Sequence, residues 1–596
     1  MKIPDNILLK VAKPSRYTGG EYNTPVIKEN PALRFAMCMP DVYEVAMSNL
    51  GIRILYGMLN ERADTAAERC FAPWPDLGEE LKANAIPLAS LETGRALKDF
   101  DIAGFSLQYE MSYATVLYML DLAGIPRERE RRGGGLPIII AGGPCTVNPA
   151  VMSAFVDVFS IGDGEDSLTA LADLFIECKA AGGDYKDAFL RRASGLPGMY
   201  VPKYNYGGKD HAVRRAVITD LERAYYPVKF LLPQIEAVHD RAVLEIFRGC
   251  TRGCRFCQAG FIYRPVRERT PGRLVSLADG IVGGCGYEEL SLSSLSTGDY
   301  PRLSELIKGL KDVKDKYRIN LSLPSLRADS FEAEFTDSSR KSSLTFAPEA
   351  GTQRLRDVIN KNITEEDIER SMTAAFESGY SSVKLYFMIG LPTETMEDIE
   401  GIVDIAYKIK KLYRAHSTSG KALRLHVSTS VFIPKPFTPF QREAQLSERE
   451  TYERQNVLKD RLRRVGADYA YHDYTTSALE CAFSRGDGRL SAVLSKAADY
   501  GCRFDGWTEE FKYGEWLRAF ADCGVDLADY TRERGVKEPL PWDFVDIGVT
   551  GEYFGRERER AFARETTDDC RNGCLGCGLE KECGRVSEAK NAVSAL

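Results

Sequence analysis

Residues Arg248 to Gln258 read RGCTRGCRFCQ and place Cys250, Cys254 and Cys257 within eight residues. A second stretch, CRNGCLGCGLEKEC from Cys570 to Cys583, repeats that spacing at Cys570, Cys574 and Cys577 and adds a fourth thiol, Cys583. The difference is chemical. A closed structural zinc site takes four ligands, and a cluster of four irons normally takes four cysteines, one per iron. Three thiols leave one iron open to a further ligand, whereas four close the site.

The segment before the first cysteine, AVLEIFRGC, is a short apolar run, so the three thiols are predicted to follow a strand. Five similar runs come after it: EELSLSSLSTGDY, INLSLPSLRAD, SSLTFAPEAG, SVKLYFMIGLP and LHVSTSVFIPKP. With helical stretches between them, these six predict a partial (βα)6 barrel over residues 237–445, with the cysteine loop at the carboxyl ends of its strands, where barrel active sites lie.

Working outward, residues 1–185 alternate apolar runs with amphipathic ones: LRFAMCMP, SNLGIRILYGML, DIAGFSLQ, SYATVLYMLDLAG, LPIIIAGGP and VDVFSIGDGE. That order predicts a parallel α/β sheet of Rossmann type, which binds ligands beyond the carboxyl ends of its strands. AGGPCTVNP and IGDGED fall at two such ends. Residues 186–236, rich in proline and tyrosine, read as an ordered connector, and residues 446–596 read as a helical, charged region that closes with the four-cysteine tail. The fold class is α/β.

Composition bounds the rest. The 596 residues are 44% apolar, contain no run of eighteen apolar residues, and begin with MKIPDNILLKVAKPSRY, whose charges interrupt any leader-like segment. A cytoplasmic chain with no membrane partner is expected. In that compartment fifteen cysteines are not disulfides, so clustered ones indicate metal and scattered ones, such as Cys38, Cys70 and Cys145, indicate buried thiols. The net charge of −7 offers no general attraction to nucleic acid.

With Phe256 directly before its last cysteine, the CX3CX2C segment resembles that of the radical S-adenosylmethionine (radical SAM) superfamily. The resemblance runs over about residues 240–445. It implies a [4Fe-4S] cluster on Cys250, Cys254 and Cys257 whose open iron binds S-adenosylmethionine, and a reductant such as flavodoxin or ferredoxin. It places Ser294 and Ser296 near the amino group of the methionine moiety, although the usual GGE triplet is absent. It puts Glu349 near the ribose, and Met388, Ile389 and Gly390 of MIGLPTE near the adenine.

A Rossmann-type domain ahead of such a barrel resembles the cobalamin-binding class of the superfamily, with Ser106, Gly142 and Gly143 beside a corrinoid. The first histidine of the chain is His211, so the domain cannot offer a histidine to cobalt. Any cobalamin there would lack that ligand. In the same setting the tail cysteines imply a second [4Fe-4S] cluster, with tetrahedral zinc as the competitor. The C-terminal extension, with HDYTTSALECAFSRGDGRLSAVL, resembles that of a subgroup of this class.

The expected function is therefore a radical SAM enzyme with cobalamin-assisted methyl transfer or related carbon chemistry. The sequence does not name its substrate. One alternative is a cobalamin-independent radical SAM enzyme, such as one that inserts sulfur into RNA or protein. Another is a non-catalytic cysteine-metal module that binds nucleic acid through the tail and Arg556, Arg558, Arg560 and Arg564. Those arginines alternate with Glu557 and Glu559, which reads as a solvated helix.

Overall fold

The computed structural model describes residues 3–205, 212–322 and 343–583. His211, and the part of the expected third barrel strand from residue 323 onward, lie outside the described residues.

The first sheet contains Leu33–Met39 (β1), Thr65–Phe71 (β2), Ile102–Ser106 (β3), Ile138–Gly142 (β4), Val158–Ser160 (β5) and Met199–Tyr200 (β6). Its order is β2-β1-β3-β4-β5-β6, parallel except for the antiparallel β6. The inner strands are nearly continuous apolar runs because helices cover both faces, as in β1 (LRFAMCM) and β4 (IIIAG). The strand order reverses between β1 and β3, and in such sheets the crevice at that reversal is where ligands bind.

The connector expected over 186–236 is partly built into neighbouring sheets. It supplies β6, and its short strand Val213–Arg214 (β7) pairs with Val545–Asp546 near the C-terminus. Tyr200 explains the docking of β6, since its ring packs on Phe159 and Phe544.

The barrel begins with Ala242–Glu245 (β8) and Phe247–Arg248 (β9), and the two-residue Arg267–Glu268 (β10) returns antiparallel to β9. Glu289–Ser293 (β11) lies between β8 and Asn320–Ser322 (β12). Leu344–Glu349 (β13), Ser382–Ile389 (β14) and Arg424–Val431 (β15) continue the parallel series. All six expected strands are thus represented. A seventh, Asp468–Tyr471 (β16), pairs parallel with β15 inside the region expected to be helical. Its tyrosines account for it: Tyr469 exchanges a hydroxyl hydrogen bond with Thr429 of β15 at 2.7 Å, and aromatic side chains favour the pleated surface.

Beyond β16 the chain is mostly helical and packs back on the first sheet. One apolar cluster joins Leu117 and Met119 of the Rossmann-type region to Leu479, Phe483, Trp516 and Phe554. The C-terminal region therefore shares a core with the N-terminal one. Among the described residues no helix is long and apolar enough to cross a membrane.

Candidate functional site

Gly249 turns the chain out of β9 with φ +90°, and a Cβ there would lie 2.7 Å from the carbonyl oxygens of Tyr263 and Pro265. Only glycine makes that turn without displacing backbone. Cys250 and Cys257 are half-buried and Cys254 is buried. Burial pushes the Cys257 thiol up to about 12, the thiols of Cys254 and Cys250 add to it, and the Gly260 N–H and the Lys361 ammonium oppose it. Burial of this kind disfavours a free thiolate at Cys257, and a cationic centre bound there would offset it, which is the electrostatic setting that an iron cluster fits.

The loop between these cysteines is fastened from several sides. The fully buried guanidinium of Arg255 donates to the carbonyls of Asp357, Val358 and Glu565 at 3.1, 3.0 and 2.8 Å and pairs with Glu557 at 3.2 Å. Asn360 donates to the carbonyls of Arg252 and Gly253, both at 3.2 Å.

Of the other predicted positions, Ser294 and Ser296 follow β11, Glu349 ends β13, and Met388, Ile389 and Gly390 are at the end of β14. Phe256 and Met388 pack against one apolar cluster that includes Ala350 and Leu391. Ser294 shares a hydroxyl hydrogen bond with Thr297 at 3.1 Å, and the buried Ser296 hydroxyl has no hydrogen-bond partner among the described residues. Glu349 closes β13 with φ +69°, an uncommon conformation for a residue with a side chain, and pairs with Lys361 at 3.0 Å. Gly390 donates its N–H to both Glu394 oxygens at 2.9 Å, and Arg454 Nε pairs with the same carboxylate at 2.8 Å.

Lys361, which faces both Glu349 and Cys257, gave no sequence signal. Arg454 likewise lies sixty residues from its partner, in a region that the sequence marks only as helical and charged.

A cavity of about 500 Å³ lies between the Rossmann-type sheet and the barrel mouth. Ser106, Gly142 and Gly143 line it from one side, and Arg248, Gly249 and Ser294 from the other. Gly143 turns at φ +102°, and a Cβ there would sit 2.6 Å from the Leu107 carbonyl oxygen. The floor is a charged network. Arg248 pairs with Glu165 at 2.5 Å, Glu245 at 2.8 Å and Asp163 at 3.2 Å, and Arg267 pairs with Asp163. Burial would raise the Asp163 carboxyl, but Arg267 and Arg248 outweigh it and hold it below the usual carboxylate range. These contacts fix the two halves of the cavity against each other. No histidine is among the described residues that line it. Cys38 and Cys70 lie apart from this lining, as buried partners in the β1–β2 register.

All four tail cysteines line a second, smaller cavity of about 70 Å³, and Cys250 lines it too. The Thr251 hydroxyl donates to Asp569 at 2.9 Å, the Cys570 N–H to the Thr251 carbonyl at 3.3 Å, and Arg571 to the Asp299 carbonyl at 2.7 Å. Nor is the arginine-rich helix Gly551–Ala563 simply solvated as expected: Glu557 is buried against Arg255, and Arg556 donates to the Leu575 carbonyl at 2.7 Å. Sequence periodicity missed this because a neighbouring loop, not a helix face, covers it.

With this geometry in view, the family model described as "Radical SAM superfamily" matches residues 244–406, and that described as "Radical SAM proteins, N-terminal" matches residues 51–202. The chain belongs to the radical SAM superfamily. It is a radical SAM enzyme, for which a [4Fe-4S] cluster and S-adenosylmethionine are the cofactors. An uncharacterised protein of Methanocaldococcus jannaschii is 32% identical over 73% of this chain and 89% of its own length. The anaerobic magnesium-protoporphyrin IX monomethyl ester cyclase of Cereibacter sphaeroides is 24% identical over 51% of this chain and 47% of the cyclase. Among solved structures, the radical S-adenosylmethionine methyltransferase TsrM of Kitasatospora setae, with cobalamin and a [4Fe-4S] cluster bound, aligns over 68% of this chain and 76% of that one, with 13% identity and a TM-score of 0.47.

Proposed function

We propose that this radical SAM enzyme holds its cluster on Cys250, Cys254 and Cys257, binds a cobalamin in the larger cavity, and carries out methyl transfer or related carbon chemistry there. The observation that carries the reading is the shared cavity, in which Ser106, Gly142 and Gly143 face Ser294 and the start of the cysteine loop. Gly142, Gly143, Gly162 and Gly164 lie on its Rossmann side, among apolar side chains that include Phe35, Met37, Ile140 and Leu168. Such a lining would admit a corrinoid, and no histidine is among the described residues that line it.

When bound, the reduced cluster would cleave S-adenosylmethionine to methionine and a 5′-deoxyadenosyl radical, and cobalamin would serve as a methyl carrier. The chain's own groups position and enclose. The unpartnered Ser296 hydroxyl is available to a polar group of the methionine moiety, and Lys361 sets a positive charge beside Cys257. Glu394 holds the Gly390 backbone in place for the adenine. Arg248 and its carboxylate partners keep the two walls of the cavity in register.

The tail cysteines are read as ligands of a second [4Fe-4S] cluster, fully closed by thiolates. Among the described residues no three His, Cys, Asp or Glu side chains converge closely enough to ligate one metal ion. Four thiolates would match the four irons of a cluster, with tetrahedral zinc as the competitor.

Anaerobically purified protein supplied with hydroxocobalamin should retain it through gel filtration, with an EPR spectrum that shows no protein nitrogen below cobalt. With reductant it should convert S-adenosylmethionine to 5′-deoxyadenosine and S-adenosylhomocysteine. Loss of all corrinoid on the column would remove cobalamin from the proposal.

A further inference from the structure

Two arginines of the C-terminal region are buried next to each other and have no carboxylate of their own. Arg485 is 0% and Arg534 6% exposed. Arg485 ends the helix Tyr474–Arg485, and Arg534 lies in a loop that packs on that helix end. Their hydrogen bonds go to backbone carbonyls. Nη1 of Arg485 donates to Tyr530 at 2.8 Å and to Arg532 at 3.0 Å, and Nη2 of Arg534 donates to Arg485 at 2.7 Å. Their other neighbours carry no charge: the Arg534 guanidinium stands 5.5 Å from the centre of the Trp542 ring, and the Cys481 thiol lies beside Arg485. Nε and Nη2 of Arg485 and Nε of Arg534 have no hydrogen-bond partner among the described residues.

The acids around them are engaged by other arginines. Glu538 pairs with Arg532 at 2.7 Å, Glu443 with Arg558 at 2.5 Å and Asp487 with Arg489 at 3.0 Å. Burial, and after it the like charge of Arg485, pushes the Arg534 guanidinium down to about 10. Two cations held together out of water cost more than the dipoles of a few carbonyls return. A buried water would satisfy the free N–H groups and leave the charge uncompensated.

We infer that Arg485 and Arg534 hold a small monovalent anion of the chloride class between them. The donor set suits it, with free N–H groups from two guanidiniums. Their burial sets the size: a nucleotide or a phosphorylated chain would need an opening to solvent that neither side chain has. The place gives the anion a task. The Arg534 N–H donates to the Arg442 carbonyl at 2.8 Å and the Gln445 N–H to the Thr531 carbonyl at 2.9 Å, which fastens this loop to the segment after β15. On the other side, Ser484 donates to Glu110 at 2.8 Å, and Asn148 donates to the carbonyls of Ser484 and Gly486 at 2.9 and 3.0 Å. The anion therefore neutralises the joint at which the Rossmann-type region, the barrel and the C-terminal helices meet.

The test uses the full chain in chloride-free buffer, with gluconate as the anion at fixed ionic strength. Chloride is then titrated in place of gluconate while thermal unfolding is followed. The midpoint is expected to rise with chloride and to level off, because an ion bound only by the folded chain stabilises it by mass action. Arg534→Met is expected to lose that response, whereas Arg449→Met, at a side chain 84% exposed, keeps it. Crystals grown with bromide in place of chloride are expected to show an anomalous peak within bonding distance of Nε of both arginines. Ordinary water density at that point would overturn the inference. So would a wild-type midpoint that ignores chloride, or a response in Arg534→Met equal to that of the wild type. If Arg534→Met does not fold, bromide in the wild-type crystal decides the matter.

Discussion

The Thr251 hydroxyl donates to the Asp569 carboxylate at 2.9 Å across 318 residues of chain, so the residue after Cys250 is tied to the residue before Cys570. Arg571 and Arg252 reach the same carboxylate at 2.7 and 3.4 Å. The two cysteine groups are therefore one structural unit.

That tie has a pH signature. Burial would raise the Asp569 carboxyl, but Arg571 and Thr251 outweigh it and hold it down to about 2. A carboxyl depressed in the folded state stabilises it above its unfolded value, and the contribution is lost as pH falls through the folded one. The tail contact should thus weaken between about pH 4 and pH 2. Asp569→Asn should remove that slope and cost about 1–3 kcal/mol near neutral pH, read by denaturant unfolding across pH. An unchanged acid limb in the variant would deny Asp569 this role.

Glu394 behaves in the opposite sense. Burial pushes its carboxyl up to about 7, against the Gly390 N–H and Arg454. A raised carboxyl favours the folded state below its unfolded value and loses that contribution as pH rises through the folded one. Stability should decline from about pH 5 to pH 7, and Glu394→Gln should flatten the decline while keeping an acceptor for Gly390. Thermal unfolding measured at pH 5, 6, 7 and 8 checks it, and an identical slope in the variant would contradict the assignment.

Much of this was legible in the sequence because its signals were local. The spacing of Cys250, Cys254 and Cys257 after an apolar run placed them on the loop following the β8–β9 segment, and the runs at 33–39 and 138–142 marked buried parallel strands. What was not legible depends on pairings across long stretches of chain. Lys361 meets Glu349 only because the turn after the helix Gln353–Val358 brings it back, and Glu557 looks solvated until Arg255 is placed against it. β16 was missed for a different reason: four residues at the end of a charged helix carry too short a period to outweigh their surroundings.

The buried pair Arg255–Glu557 predicts its own energetics. Arg255 is 0% and Glu557 1% exposed, so Arg255→Met leaves the buried carboxylate with only Arg560, at 3.4 Å, and the Thr567 hydroxyl, at 2.8 Å. Breaking such a pair from one side costs about 3–5 kcal/mol, whereas replacing both members by apolar residues is far less damaging. Denaturant unfolding should find Arg255→Met strongly destabilised and the double change Arg255→Met with Glu557→Met partly recovered. Iron content should follow the same order, because Arg255 lies between Cys254 and Cys257. A double variant no better than the single would show that the carbonyl bonds of Arg255, not its charge pair, dominate.

The last prediction separates the corrinoid site from the fold. At Gly143 a side chain would collide with the Leu107 carbonyl, so substitution there perturbs backbone and binding together. Gly142 differs: the nearest atom to an added Cβ is the Ser160 carbonyl oxygen, at 4.0 Å, and the residue lines the larger cavity. A leucine at this position can therefore be accommodated by the strand while it takes up space beside Ser106. Gly142→Leu should leave the unfolding free energy within about 1 kcal/mol of wild type, the scale on which strand substitutions act through packing. It should also leave iron content and the S-adenosylmethionine-perturbed EPR signal unchanged, because no cysteine is among the described residues that line the cavity. Retention of hydroxocobalamin through gel filtration should be lost. A Gly142→Leu protein that holds cobalamin at the wild-type stoichiometry would put the corrinoid outside this cavity.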